Sequence, residues 1–294
     1  MMNYEEFEDT IKKLFESAVE KNVNVTSVKT RKNNNTLYRG LAFQMAGSNL
    51  ASSLYLEDSY RDYESGVSIA DIFENLYHTY KDLPLQSCSP KLLYDLENRK
   101  EQIVYKLINY EKNKDLLKEI PHIQCLDLAI VFYLLLHIND NGITSMLIDK
   151  RYLSVWGINT DTLYSYAKKN TPKLLPAYIQ SMSDVVSEID EELVVPDVDY
   201  GMLMLSNTYK NLGAGCILYD NILKQLGRRF GESLYVIPSS IHECIILPKS
   251  KVESETELTE MICEINKAIL EPDEVLADHP YYYDLQKDTL NISA

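Results

Sequence analysis

"LDLAIVFYLLL", residues 126–136, is the stretch on which the fold turns. A run of this length is about half of what crosses a bilayer, and it carries Asp127, so it predicts no membrane span. Branched and aromatic residues dominate it, and "NDNG" (139–142) leads from it into "ITSMLID" (143–149). It therefore fits a central buried strand followed by a second strand across a turn. Towards the C-terminus, "GMLMLSN" (201–207) and "GAGCILY" (213–219) read as strands and "NILKQLGRRF" (221–230) as a helix. "SLYVIP" (233–238) and "ECIILP" (243–248) are again strands, and a last helix spans about 256–270. This order predicts an α+β fold, with a mixed or antiparallel sheet and helices packed on one side.

In the other direction the pattern is richer in helix. Residues 4–18 place Tyr4, Phe7, Ile11, Leu14, Phe15 and Ala18 at three-and-four spacing. A hairpin follows over 23–30 and 36–45, around the turn-rich "RKNNN". The spacing predicts a helix over 68–83 with Ser68 as its N-cap, and another over 99–118 with Ile103, Val104, Leu107 and Ile108 inward and Pro121 as its stop. A shorter one starts at Asn159 or Thr160 and closes at Asn170 and Pro172. These elements divide into an N-terminal helix, hairpin and helix region, 1–120, and an α+β region, 121–294, or run on as one continuous domain.

The formal charge of −15 is unevenly distributed. From Leu174 to Tyr209 there are seven acids and no Lys or Arg, and from Val252 onward eleven acids face only Lys267 and Lys287, which leaves the remainder close to neutral. The first stretch predicts an exposed acidic connection near 181–200, broken by Pro196. A chain with no basic stripe repels phosphate backbones, so direct nucleic-acid binding is not expected. The acidic N-terminus lacks the basic start and apolar middle of a secretion signal, so a cytoplasmic location is expected. Five widely spaced cysteines without a CxxC read as reduced core thiols.

Chemistry-bearing residues are sparse. Ser240, His242 and Glu243 sit together between two strands, and a hydrolase could be built on Ser240 and His242. Alternation along a strand, however, does not bring nucleophile, base and orienting acid into register. Ser240-x-x-Glu243 also has the spacing of a capping box, so the stretch reads as a turn. His122-x-x-Cys125 offers only two metal ligands, too few for a structural zinc. "NLGAGCILY" lacks both the dinucleotide and the P-loop patterns, leaving its glycines to permit a turn or bulge. No metal and no cofactor are expected.

Four stretches, "IVYKLINYEKNKDLLKEIPH" (103–122), "LDLAIVFYLLL", "WGINTDTLYSYAKKNTP" (156–172) and "YVIPSSIHECIILP" (235–248), resemble a Firmicutes family known as domain of unknown function 5688. The likeness runs over essentially the whole chain. "LYSYAKKNTP" and the strand, proline, strand ending are distantly similar to a second family, domain of unknown function 1444. The resemblance transfers no catalytic residue. It points towards accessory proteins of mobile elements in gut bacteria, with a regulatory or anti-defence role.

Two surfaces are left as binding candidates. One is tyrosine-rich: 22 tyrosines stand against one tryptophan, and Tyr281, Tyr282 and Tyr283 are consecutive. Such rings suit interfaces, where area is buried and the hydroxyl stays satisfied. The other is the last helix, where Leu258, Met261, Ile262, Ile265 and Ile269 form the expected buried stripe and Glu257, Glu260 and Glu264 face outward. The sequence thus points to a cytoplasmic, non-enzymatic interaction or regulatory protein whose acidic, Tyr-rich face meets a basic protein partner. The alternative is the hydrolase using Ser240 and His242.

Overall fold

The computed structural model describes residues 1–48, 51–83, 95–139, 142–189 and 201–293. Two compact units result: residues 1–32 with 36–98, and residues 33–35 with 99–294. The division falls after Asn98 rather than near residue 120. The reason is that residues expected to finish the N-terminal part as a helix are a strand of the second unit.

In the first unit, helix α1 (Tyr4–Ala18) starts in a capping box, with Asn3 Oδ1 accepting from Glu6 N–H and Glu6 answering to the Asn3 N–H. Its apolar row buries Phe7, Ile11 and Phe15 completely. Strands β1 (Val23–Arg31) and β2 (Leu37–Met45) form the expected antiparallel hairpin, and β3 (Ser52–Tyr55) pairs with β2. Helices α2 (Glu57–Glu64) and α3 (Ile69–Lys81) follow, the latter capped by Ser68 as its sequence predicts. Phe15 meets Phe43, Phe73 and Tyr80 at centroid separations of 4.9, 5.0 and 5.7 Å. Buried Glu8 is held by Arg39 at 2.9 Å.

The second unit is built on β6 (Leu128–Asn139), the strand read from "LDLAIVFYLLL". It pairs antiparallel with β4 (Ile103–Asn109), β5 (His122–Cys125) and β7 (Gly142–Leu147). β4 overturns the helix expected over 99–118, where the α-helical residues are Arg99, at the end of a single turn Leu96–Arg99, and those of α4 (Lys114–Glu119). All of β4 except Lys106 is buried, so both strand faces are covered and the apolar run satisfies helical and extended periods alike. Helices α5 (Lys150–Trp156) and α6 (Thr160–Leu174) come next; α6 is capped by Asn159 and runs past Pro172 rather than ending at it.

A six-stranded antiparallel sheet completes the unit in the order β13-β12-β10-β11-β9-β8. Its strands are β8 (Ala177–Ser181), β9 (Leu203–Asn207), β10 (Leu234–Ile237), β11 (Cys244–Pro248), β12 (Tyr281–Asp284) and β13 (Thr289–Ile292). Helix α7 (Met182–Ile189) occupies the first part of the expected acidic connection, whose remainder, 190–200, lies outside the described residues. Helix α8 (Ile222–Phe230) precedes β10, and α9 (Glu255–Ala268) follows β11. The strand expected at 213–219 is instead a 3-10 helix, Gly213–Leu218. A Cβ on Gly213 would come within 2.6 Å of Asn207 N and His242 O, so glycine is what lets this turn lie against the sheet. No helix among the described residues is long and apolar enough to cross a membrane.

Candidate functional site

The turn between β10 and β11 uses Ser240 fully. Its N–H donates to Glu243 O at 3.2 Å, its Oγ accepts from His242 N–H at 2.9 Å, and its hydroxyl donates to Glu243 Oε1 at 2.9 Å. Serine and glutamate are paired as the spacing predicts, but through atoms other than those of a capping box, and a strand follows instead of a helix. The His242 ring is turned elsewhere: Nδ1 accepts from Leu212 N–H at 3.2 Å, which leaves the ring proton on Nε2, 3.6 Å from Glu274 Oε1. The His242 carbonyl accepts from Ser206 Oγ at 2.7 Å. Ser240 is 2% exposed, and its hydrogen bonds go to Glu243 and the His242 backbone, not to the imidazole. Lys210 and Leu212, both with positive φ, shape the loop that supplies the donor to His242.

A second polar cluster joins residues far apart in the chain. His279 Nε2 lies 2.9 Å from Asp127 Oδ2, and the Tyr281 hydroxyl donates to Asp127 Oδ1 at 2.8 Å. His279 Nδ1 is 3.0 Å from Pro280 O. Both ring nitrogens thus face acceptors, an arrangement that the imidazolium satisfies. The hydrogen bond to Asp127 raises the His279 pKa above its ordinary value against the opposing effect of burial. Burial pushes the Asp127 carboxyl up, but hydrogen bonds from His279 and Tyr281 outweigh it and hold the group below the usual carboxylate range. Asp278 stands beside this pair, held by Lys112 at 3.0 Å and Asn266 at 2.9 Å. With both ring nitrogens and both Asp127 oxygens engaged, the cluster clasps two parts of the unit. Period-two alternation of "YYYD" was the one sequence signal available for it.

That alternation also corrects the tyrosine-rich surface. Tyr281 is 0% and Tyr283 3% exposed, because both point inward from β12, while Tyr282 is half-buried against Tyr235. Tyr281 and Tyr283 therefore offer no open ring face to a partner.

On α9 the expected and observed faces differ in an informative way. Ser254 caps the helix, accepting from Glu257 N–H at 3.3 Å, and the row Leu258, Ile262 and Asn266 is buried. Asn266 takes the inner place because its amide donates to Ala277 O at 3.0 Å and to Asp278 Oδ1 at 2.9 Å, a tie that hydropathy cannot show. Met261, Ile265 and Ile269, expected inside, are 44%, 38% and 74% exposed. Glu257, Glu260 and Glu264 are exposed as expected. At the start of the helix, Met202, Leu247, Val252, Leu258 and Met261 line a shallow groove with Glu253 and Glu257 on its rim. No group of three or more metal-ligating side chains occurs among the described residues, and the four described cysteines are free thiols.

Residues 4–285 match the model of the family of unknown function DUF5688. No curated protein and no solved structure matches the chain.

Proposed function

Since the chain belongs to DUF5688, a family whose function is unknown, we propose from its own surface that it is a cytoplasmic, non-enzymatic interaction protein that presents the outer face of α9 to a basic protein partner. The observation that supports this is the exposure of Glu257, Glu260 and Glu264 beside the uncovered apolar residues Met261 and Ile265. Like charges held on one helix face attract a cationic surface over a distance and speed its encounter. A place among accessory proteins of a mobile element is compatible with such a binder. Hydrolysis through Ser240 and His242 gains nothing from the turn, whose hydroxyl serves Glu243 and the backbone.

The test compares association rates for a lysine–glycine repeat peptide. Replacing Glu257, Glu260 and Glu264 together by Gln should slow association about tenfold at low salt and less at physiological salt, where exposed charges are screened. The control variant Asp62→Asn, Glu74→Gln, Glu101→Gln makes the same change in net charge elsewhere. An equal loss in both variants would show a response to total charge and remove the assignment to α9.

A further inference from the structure

Resting on that reading, we propose that the groove at the start of α9 is the docking site for a cationic amphipathic helix of the partner, with an aliphatic anchor seated on Val252, Leu258 and Met261. The floor is assembled from separate parts of the unit: Met202 before β9, Leu247 of β11, Val252 of the connection, and Leu258 and Met261 of α9. Beyond the groove the apolar track continues along the helix through Ile265 to Ile269. Residues at positions i, i+4 and i+8 span about 12 Å along a helix, which matches successive anchors on one face of a partner helix. Met261 gives the contact a flexible side chain that adapts to aliphatic shapes.

Charge decides what covers this track. Glu253 and Glu257 stand on the groove's rim, and Glu260 and Glu264 flank the track beyond it. The basic lining residue is Lys251, whose alkyl stem lies over Gly201, where a Cβ would sit 3.4 Å from Lys251 Cε. A second copy of the chain docked symmetrically through this face would bring the same glutamates together, and an anionic lipid surface would meet them with like charge. A helix with Lys or Arg flanking an aliphatic row relieves both the exposed apolar area and the repulsion among the carboxylates.

Two synthetic peptides of identical Leu and Lys content test this, one with leucines on a single helical face and one with the order scrambled. Titration calorimetry on the full chain should show the amphipathic isomer binding about tenfold or more tightly than the scrambled one. Met261→Ser with Ile265→Ser should abolish the preference, and Met261→Leu should keep it; these exposed positions leave the core intact, which circular dichroism checks. The Glu257, Glu260, Glu264 to Gln variant should weaken both peptides. Equal binding of the two isomers by the wild-type chain overturns the groove while leaving the acidic face in place. Absence of binding by either isomer overturns both readings. Self-association in sedimentation that Met261→Ser abolishes would make the groove an interface between copies and overturn the proposal.

Discussion

At the scale of single residues, the clasp of Asp127, His279 and Tyr281 makes stability depend on pH in a direction that can be worked out. His279, raised above about 6.5, contributes stability that is fully present below the unfolded pKa and is lost as pH rises through the higher folded value. Asp127, held low, contributes stability present above about 3.9 and lost as pH falls through its lower folded value. Urea unfolding should therefore show stability declining as pH climbs above about 6.5, and His279→Gln should flatten that decline at a cost of about 1 to 2 kcal/mol at lower pH. A pH profile identical in the variant would show that the pair carries no linkage. Little of this is legible in the sequence: alternation in "YYYD" turns Tyr281 inward, but nothing pairs it or His279 with Asp127, which stands 152 positions before His279. Ser240 and Glu243 were legible as partners because their spacing is local, although the atoms they exchange were not.

Single elements were readable where one face is wet. Helix α1 carries a capping box and one buried row, and β1 keeps most of its residues at the surface on either side of the buried Val25, so both emerge from the pattern and the turn-rich linker that follows. β4 did not, since burial on both faces erases the period that separates strand from helix. The 3-10 helix Gly213–Leu218 did not either, because what fixes it is contact with Ser206, Asn207 and His242. Gly213→Ala should cost about 3 kcal/mol or more, as its Cβ would meet Ser206 Oγ at 2.2 Å and two backbone atoms at 2.6 Å. Combining it with Ser206→Gly should recover only part of the loss, because the backbone atoms remain. A thermal melt unchanged by Gly213→Ala would mean that the turn can shift off the sheet freely. On α9 the missed feature is Asn266, whose inward amide leaves Met261 and Ile265 outside.

For the molecule as a whole, charge asymmetry was visible in the sequence and survives as an exposed acidic helix face, whereas the unit boundary moved with the misread β4. The clasp also has a temporal consequence. β6 meets β5 and β7 through short connections, so that sheet can assemble from neighbouring segments, while Asp127 acquires His279 and Tyr281 only from residues the ribosome delivers more than 150 positions later. Contacts of such separation form after the folding barrier when the local sheet is the nucleus. Asp127→Asn should then speed unfolding several-fold while leaving the refolding rate nearly unchanged, as stopped-flow chevrons would show, and a matching fall in the refolding rate would place the clasp in the nucleus instead. On this account, a nascent chain at β6 holds a carboxylate beside an apolar strand with nothing yet to neutralise it, and its lifetime once complete is governed by how often that last clasp opens.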